Sequence, residues 1–201
     1  MFPSTFIFIG RSGCGKGTQA KLLEKKLIEK ENSKVLTLET GAKFREFLAG
    51  NSYASILSKQ IYERGELQPD FLAVYMWAEY LIKEMKGGEH LILDGVARRP
   101  RETLVLDTAL RFFERKNPVV IHVDVSREWS KERLKARGRM DDIDEVEVEK
   151  RLNWYDTEVT LAIEWFRKTP DYKVLDIKGE QPIESVHKEI MEKLSGIGIS
   201  L

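Results

Sequence analysis

The chain has 201 residues, 42% of them hydrophobic, and its 33 basic and 33 acidic side chains cancel to a formal net charge of zero. That length supports one substantial core, and the balance excludes a global field for nucleic acid or an anionic membrane, so any positive site must be local. A single cysteine, Cys14, excludes an internal disulfide and a zinc site built from cysteines.

The opening MFPSTFIFIG carries no basic leader and no small-residue cleavage site, and its apolar run is far shorter than the roughly 20 residues of a membrane span. A soluble, cytoplasmic protein is expected, with a monomer as the default in the absence of a large apolar exposed run. Short β-branched or apolar runs recur at TFIFI (5–9), KVLTLE (34–39), HLILDGV (90–96), VVIHVDV (119–125) and YKVLDI (172–177), and read as five strands. Longer segments between them have helical spacing, as in the stripe Val148, Leu152, Tyr155, Val159, Ile163 and Phe166. Gly87-Gly88 and Asn117-Pro118 read as turns before strands. Strands that are apolar on both faces and alternate with helices predict an α/β fold in three layers, a five-stranded parallel sheet flanked by helices, in one domain over 1–201. Ligands bind such sheets beyond the carboxyl ends of the strands, so the residues just after each run are the candidates.

After the first run comes GRSGCGKGTQ, with the spacing Gly10-x4-Gly15-Lys16. It matches a phosphate-binding loop over 10–18: the backbone from Gly13, Cys14 and Gly15 into Gly17 and Thr18 would curl around phosphates at a helix N-terminus, with Lys16 neutralising the β and γ oxygens. A ligand-free strand-to-helix turn would have no use for that lysine. Where the general motif has Ser or Thr after the lysine, this chain has Gly17, and Thr18 follows one place later.

The variant GKGTQ resembles the adenylate kinases and related nucleoside monophosphate kinases, P-loop NTPases in fold, and the likeness extends from Phe6 to about Leu194. It implies an insert at about 40–70 that binds the acceptor nucleotide, where ETGAKFREFL is similar to the family's segment. Thr40, Gly41 and Arg45 would then hold AMP, although Arg45 alone reads equally as a solvated helix charge. Asp94-Gly95-Val96-Ala97-Arg98 is similar to the family's Asp-Gly-Phe-Pro-Arg. By that likeness Asp94 would hold Mg²⁺ through its water shell and Arg98 would fork onto the acceptor's α-phosphate. In SREWSKERLKARGRMDD and KRLNWY, the resemblance assigns Arg133 to stacking on the donor adenine and Arg137, Arg139 and Arg151 to the phosphoryl group in flight, with Arg139 and Arg151 also toward AMP. A charged helix-loop-helix surface is the alternative for this segment taken alone. Only Gly138 separates Arg137 from Arg139, so the lid is vestigial, about 137–142, and the zinc-binding lid is absent. Gly179, in KGEQP, is similar to the loop along the donor adenine.

The implied reaction is reversible γ-phosphoryl transfer from MgATP to AMP, giving two ADP, without zinc and without a side-chain nucleophile or general base. Glu102 stands where the family's adenine-reading glutamine would be. A carboxylate accepts from N6 but faces the N1 lone pair, a mismatch worth about 1–3 kcal/mol when buried, whereas guanine offers two donors. Protonation of Glu102, or recognition by backbone near Gln68, would preserve AMP; GMP, CMP or UMP as acceptor is the alternative. Glu102 also suits a helix N-terminus after Pro100. A different class, an ATP-binding switch module, would need Lys16 but not Thr40, Arg45 and Arg98.

Overall fold

In a computed structural model that describes residues 4–31, 34–64, 66–138, 142, 144–199 and 201, the first strand, β1 (Thr5–Gly10), buries every side chain. Its alternation sends Phe6 and Phe8 to one face and Ile7 and Ile9 to the other, none more than 1% exposed, so both faces must be covered. With β2 (Val35–Glu39), β3 (His90–Asp94), β4 (Val119–Asp124) and β5 (Lys173–Lys178) it forms a parallel sheet in the order β2-β3-β1-β4-β5. Ile7 lies opposite Leu93 on one side and Val120 on the other.

Among the described residues the helices are α1 (Lys16–Glu31), α2 (Thr40–Leu48), α3 (Tyr53–Glu63), α4 (Asp70–Glu84), α5 (Pro100–Phe112), α6 (Arg127–Arg137), α7 (Glu145–Trp154), α8 (Thr160–Lys168) and α9 (Ile183–Gly196). Ile7, Ile9 and Leu93 pack against Trp77 and Leu81 of α4, Leu106 of α5 and Phe166 of α8. Phe6, Phe8 and Ile121 pack against Leu23 and Leu27 of α1 and Ile190 and Leu194 of α9. The expected three layers are therefore present: helices, parallel sheet, helices.

Two local features differ from the sequence expectation. β3 stops at Asp94 instead of running to Val96, because Gly95 (φ 72°) and Ala97 (φ 54°) turn the chain out of extended geometry. Val96 and Ala97 are nevertheless fully buried, so their apolar character reports burial and not strand. The stripe from Val148 to Phe166 is buried throughout, but α7 and α8 are joined by a π-helical turn, Tyr155–Val159. The end of the sheet away from the carboxyl ends is stapled by Arg115, which donates to Thr5 Oγ1 at 2.9 Å, Glu89 O at 3.0 Å and Ser4 O at 2.8 Å. Among the described residues no helix is long and apolar enough to cross a membrane.

Candidate active site

The carboxyl ends of β1 and β3 open into a cleft of about 780 Å³, and every site residue named from the sequence except Arg139 lines it. Arg139 and Asp141 lie outside the described residues.

At the glycine loop, β1 ends at Gly10, where a methyl group would lie 2.4 Å from Val123 O, and the loop turns through Gly13 (φ 85°) and Gly15 (φ 91°) into α1. Side chains strain at those angles, so glycine is what lets the loop present backbone N–H groups to an anion. Lys16 opens α1 and its Nζ donates to Arg11 O at 3.3 Å. Cys14 faces inward, and burial pushes its thiol pKa up, which makes it a packing residue and not a nucleophile. A methyl group on Gly17 would sit 3.0 Å from Asp94 Oδ2. The absence of a side chain there leaves a cradle between α1 and the end of β3, beside a carboxylate only 8% exposed.

On the side of the cleft beyond β2, α2 begins with Thr40, whose buried Oγ1 has no hydrogen-bond partner among the described residues. Gly41 leaves room for the Arg45 guanidinium, which is half exposed and donates to Glu39 Oε1 at 3.2 Å. Arg98 is folded toward the β3 end, its Nε donating to Gly95 O at 2.9 Å. Gln68 is held at both ends of its amide: its Oε1 accepts from Ser58 Oγ at 2.7 Å and its Nε2 donates to Ser58 O at 2.9 Å. Its carbonyl accepts from Arg99 Nη2 at 3.0 Å.

Glu102 serves two purposes. It sits in the first turn of α5 after Pro100, and its Oε2 accepts the Arg98 backbone N–H at 3.0 Å, as a carboxylate at a helix start does. It is also 6% exposed and lines the cleft, with Oε1 3.9 Å from Arg99 Nε. Burial pushes its carboxyl pKa up; the Arg98 N–H and the charges of Arg98 and Arg99 only partly oppose this.

On the third side, α6 is capped by Ser126, which accepts from the Trp129 N–H at 3.2 Å, and carries Arg133 and Arg137 into the cleft. The Arg133 guanidinium lies 4.7 Å from the centroid of the Trp129 ring. Arg137 donates to both oxygens of Asp142, at 2.7 and 2.8 Å, and Arg151 of α7 donates to Asp142 Oδ1 at 2.9 Å. Burial of Asp142 opposes its ionisation, but the two arginines outweigh that and hold its carboxyl below the usual range. Gly179 follows β5, and a methyl group there would strike Val125 Cγ1 at 2.5 Å, so only glycine lets this loop approach β4.

Two cleft residues, Arg99 and Trp129, were not singled out from the sequence, and neither was the bridging role of Asp142. Arg99 ties α5 to Asp70 by an ion pair, and its neighbour Arg98 masked it. Trp129 could have been found from its i, i+4 spacing to Arg133 on a helix. Asp142 gathers two arginines from different helices, which no local pattern reveals.

A model of the adenylate kinase family matches residues 8–170. The chain is 30% identical over 190 residues to an adenylate kinase of Prochlorococcus marinus, covering 94% of this chain and 97% of that protein. It is 32% identical over 189 residues to an adenylate kinase 1 of Synechocystis sp., covering 94% and 95%. Against an adenylate kinase of Desulforapulum autotrophicum, covering 94% and 99% at 26% identity, the alignment spans 228 positions, so that relative carries residues with no counterpart here. With its parallel sheet, its glycine loop and its arginine-lined cleft, the chain belongs to the adenylate kinase family of nucleoside monophosphate kinases.

Proposed function

We propose that this adenylate kinase transfers the γ-phosphoryl group of MgATP to AMP, reversibly, by positioning and charge neutralisation alone. The observation that carries the reading is the convergence of Lys16, Arg98, Arg137 and Arg151 on one cleft beyond the strand ends, with room for two nucleotides. The acceptor's phosphate oxygen is already anionic, so no base is needed, and the rate enhancement comes from orienting two substrates and stabilising charge spread over the phosphoryl oxygens.

In this reading the N–H groups from Gly13 to Thr18 cradle the donor phosphates and Lys16 neutralises the β and γ oxygens. Arg133 and Gly179 border the donor adenine. Thr40, Gly41, Arg45, the backbone about Gln68 and Arg98 hold AMP, with Glu102 at the base. Arg137, Arg139 and Arg151 face the group in flight, Asp142 keeping two of them in register. The segment 40–70 is the acceptor-binding insert and 137–142 the vestigial lid. The cradle between Gly17 and Asp94 would suit Mg²⁺, with Asp94 holding the ion through its water shell. When bound, the ion neutralises charge on the donor phosphates. A monomer in the cytoplasm acting on free nucleotides, with no nucleic-acid partner, completes the reading.

Arg98→Ala tests it. The expected result is a fall in ADP formation of about 10²-fold or more with MgATP affinity retained. A variant that keeps full transfer removes Arg98 from the reaction; a wild-type chain that binds MgATP without transfer to any nucleotide returns the switch-module reading.

A further inference from the structure

We infer that Arg11, inside the phosphate-binding loop, is a positioning residue that locks this loop to the two helical segments carrying Arg133, Arg137 and Arg151. Its backbone carbonyl accepts from Lys16 Nζ at 3.3 Å and from the Cys14 N–H at 3.2 Å, so the placement of Arg11 fixes both the lysine and the curl of the loop. Its side chain does not line the cleft and is gripped by three residues on two segments. Nε donates to Val125 O at 3.2 Å, at the junction between β4 and α6. The guanidinium lies 4.2 Å from the centroid of the Tyr155 ring, and Nη2 pairs with Asp156 Oδ1 at 2.7 Å, both on the π-helical turn that continues α7.

Asp156 extends the lock. Its other oxygen, Oδ2, accepts from Arg127 Nη1 at 2.7 Å, and Arg127 is the first residue of α6. One carboxylate thus bridges the loop that bears Lys16, the helix that bears Arg133 and Arg137, and the turn one step beyond Arg151. Tyr155 is itself anchored, its hydroxyl 2.7 Å from His122 Nε2, and His122 Nδ1 lies 2.7 Å from Asp176 Oδ1. The Asp176 carboxylate is an acceptor, so His122 Nδ1 donates to it and the imidazole is fixed between Asp176 and the Tyr155 hydroxyl. A chain of contacts therefore runs from β5 through β4 to the phosphate loop.

Packing alone does not account for an arginine here. Arg11 Nη1 is buried with no hydrogen-bond partner among the described residues, a cost that an apolar residue at this position would avoid. What the guanidinium supplies is a planar, multidentate link between segments whose relative placement sets the distance from Lys16 to the arginines opposite.

The inference rests on the phosphoryl-transfer reading above, and its test separates the two. Arg11→Ala, Arg11→Lys, Asp156→Ala and the double variant Arg11→Ala/Asp156→Ala are compared with the unmodified chain, well below every unfolding midpoint. The readouts are calorimetric MgATP affinity and initial rates of ADP formation from ATP and AMP. We expect Arg11→Ala to weaken MgATP affinity and kcat/KM for ATP by about tenfold or more, with KM for AMP within about twofold. Arg11→Lys, which keeps the ion pair but not the flat stacked contact, recovers part of the loss. The Arg11→Ala effect shrinks in the Asp156→Ala background, because the two residues act as one unit. Arg11→Ala that lowers the unfolding midpoint but leaves affinity and kcat/KM within about twofold overturns the inference, as does full additivity. If the unmodified chain makes no ADP with any acceptor, the functional reading fails and MgATP affinity alone decides the role of Arg11. Should Arg11→Ala not fold, Arg11→Lys and Asp156→Asn carry the same comparison.

Discussion

Lys16 and Glu102 sit on opposite sides of the same cleft and pose opposite electrostatic problems. In the proposed function Lys16 brings positive charge to phosphate oxygens, and its ammonium rests on a backbone carbonyl, a neutral acceptor easily exchanged for an anion. Lys16→Met removes that charge while keeping the stem, so kcat is expected to fall about 10²–10³-fold with an unchanged unfolding midpoint. Glu102 carries negative charge into a buried place. Burial raises its folded pKa above the ordinary 4.5, so the stability it contributes is complete below that value and is lost as pH rises through the folded value. Glu102→Gln removes this loss and can still accept the Arg98 N–H. The variant should therefore unfold at a higher temperature than the unmodified chain at pH 7, with the gap closing as pH falls toward 4.5, in thermal scans across that range. It should also raise the preference for AMP over GMP, since an amide donates to adenine N1 and a carboxylate does not. The sequence raised the question of Glu102 but not its answer, because contact with the Arg98 N–H depends on how α5 begins.

The connection between α6 and α7 is organised by one buried carboxylate. The Asp142 side chain is fully shielded, and its bonds to Arg137 and Arg151 fix the distance between two helices. Asp142→Asn removes the charge that lets two guanidinium groups lie together. It should lower stability by about 3 kcal/mol in urea unfolding, and kcat by about tenfold. The sign of the pH effect follows from the lowered pKa: the stability from Asp142 is present above its ordinary 3.8 and is lost only as pH falls through the lower folded value. At the other end of the sheet, Arg115→Met should cost about 2 kcal/mol through three lost hydrogen bonds while leaving kcat unchanged, because that end does not face substrate. Elements of this kind differ in how far sequence reveals them. The glycine loop was legible because its spacing leaves side chains out where the backbone must turn, and the central strands β1, β3 and β4 because both of their faces are apolar. The Asp142 and Arg115 contacts join segments far apart in sequence or packed across a loop, and so does the hold of Ser58 on both ends of the Gln68 amide, so no local pattern shows them.

At the scale of the whole molecule, a rigid parallel sheet holds the strand ends while the parts that would cover substrate are small. α6 ends at Arg137, Gly138 takes a left-handed angle (φ 61°), and α7 begins at Glu145. If this connection is the lid, as proposed above, its few residues would exclude water from the donor phosphates less completely than a long lid would. Hydrolysis of ATP without acceptor should therefore be measurable by phosphate release, and higher than in a relative with a long lid; undetectable release would contradict the trimmed-lid reading. The three-layer architecture was readable from periodicity, because a parallel sheet needs apolar strands and places ligands at one edge, while the motifs beyond the glycine loop were readable through the resemblance to the family. Acceptor identity was not, because it turns on the protonation of one carboxyl. The measurement that bears most directly on the central claim is the initial rate of ADP formation from MgATP with AMP, GMP, CMP and UMP in parallel, beside a blank without acceptor. The account predicts fast transfer to AMP and slow transfer to the other three; a preference for GMP, or activity with none of them, would contradict it.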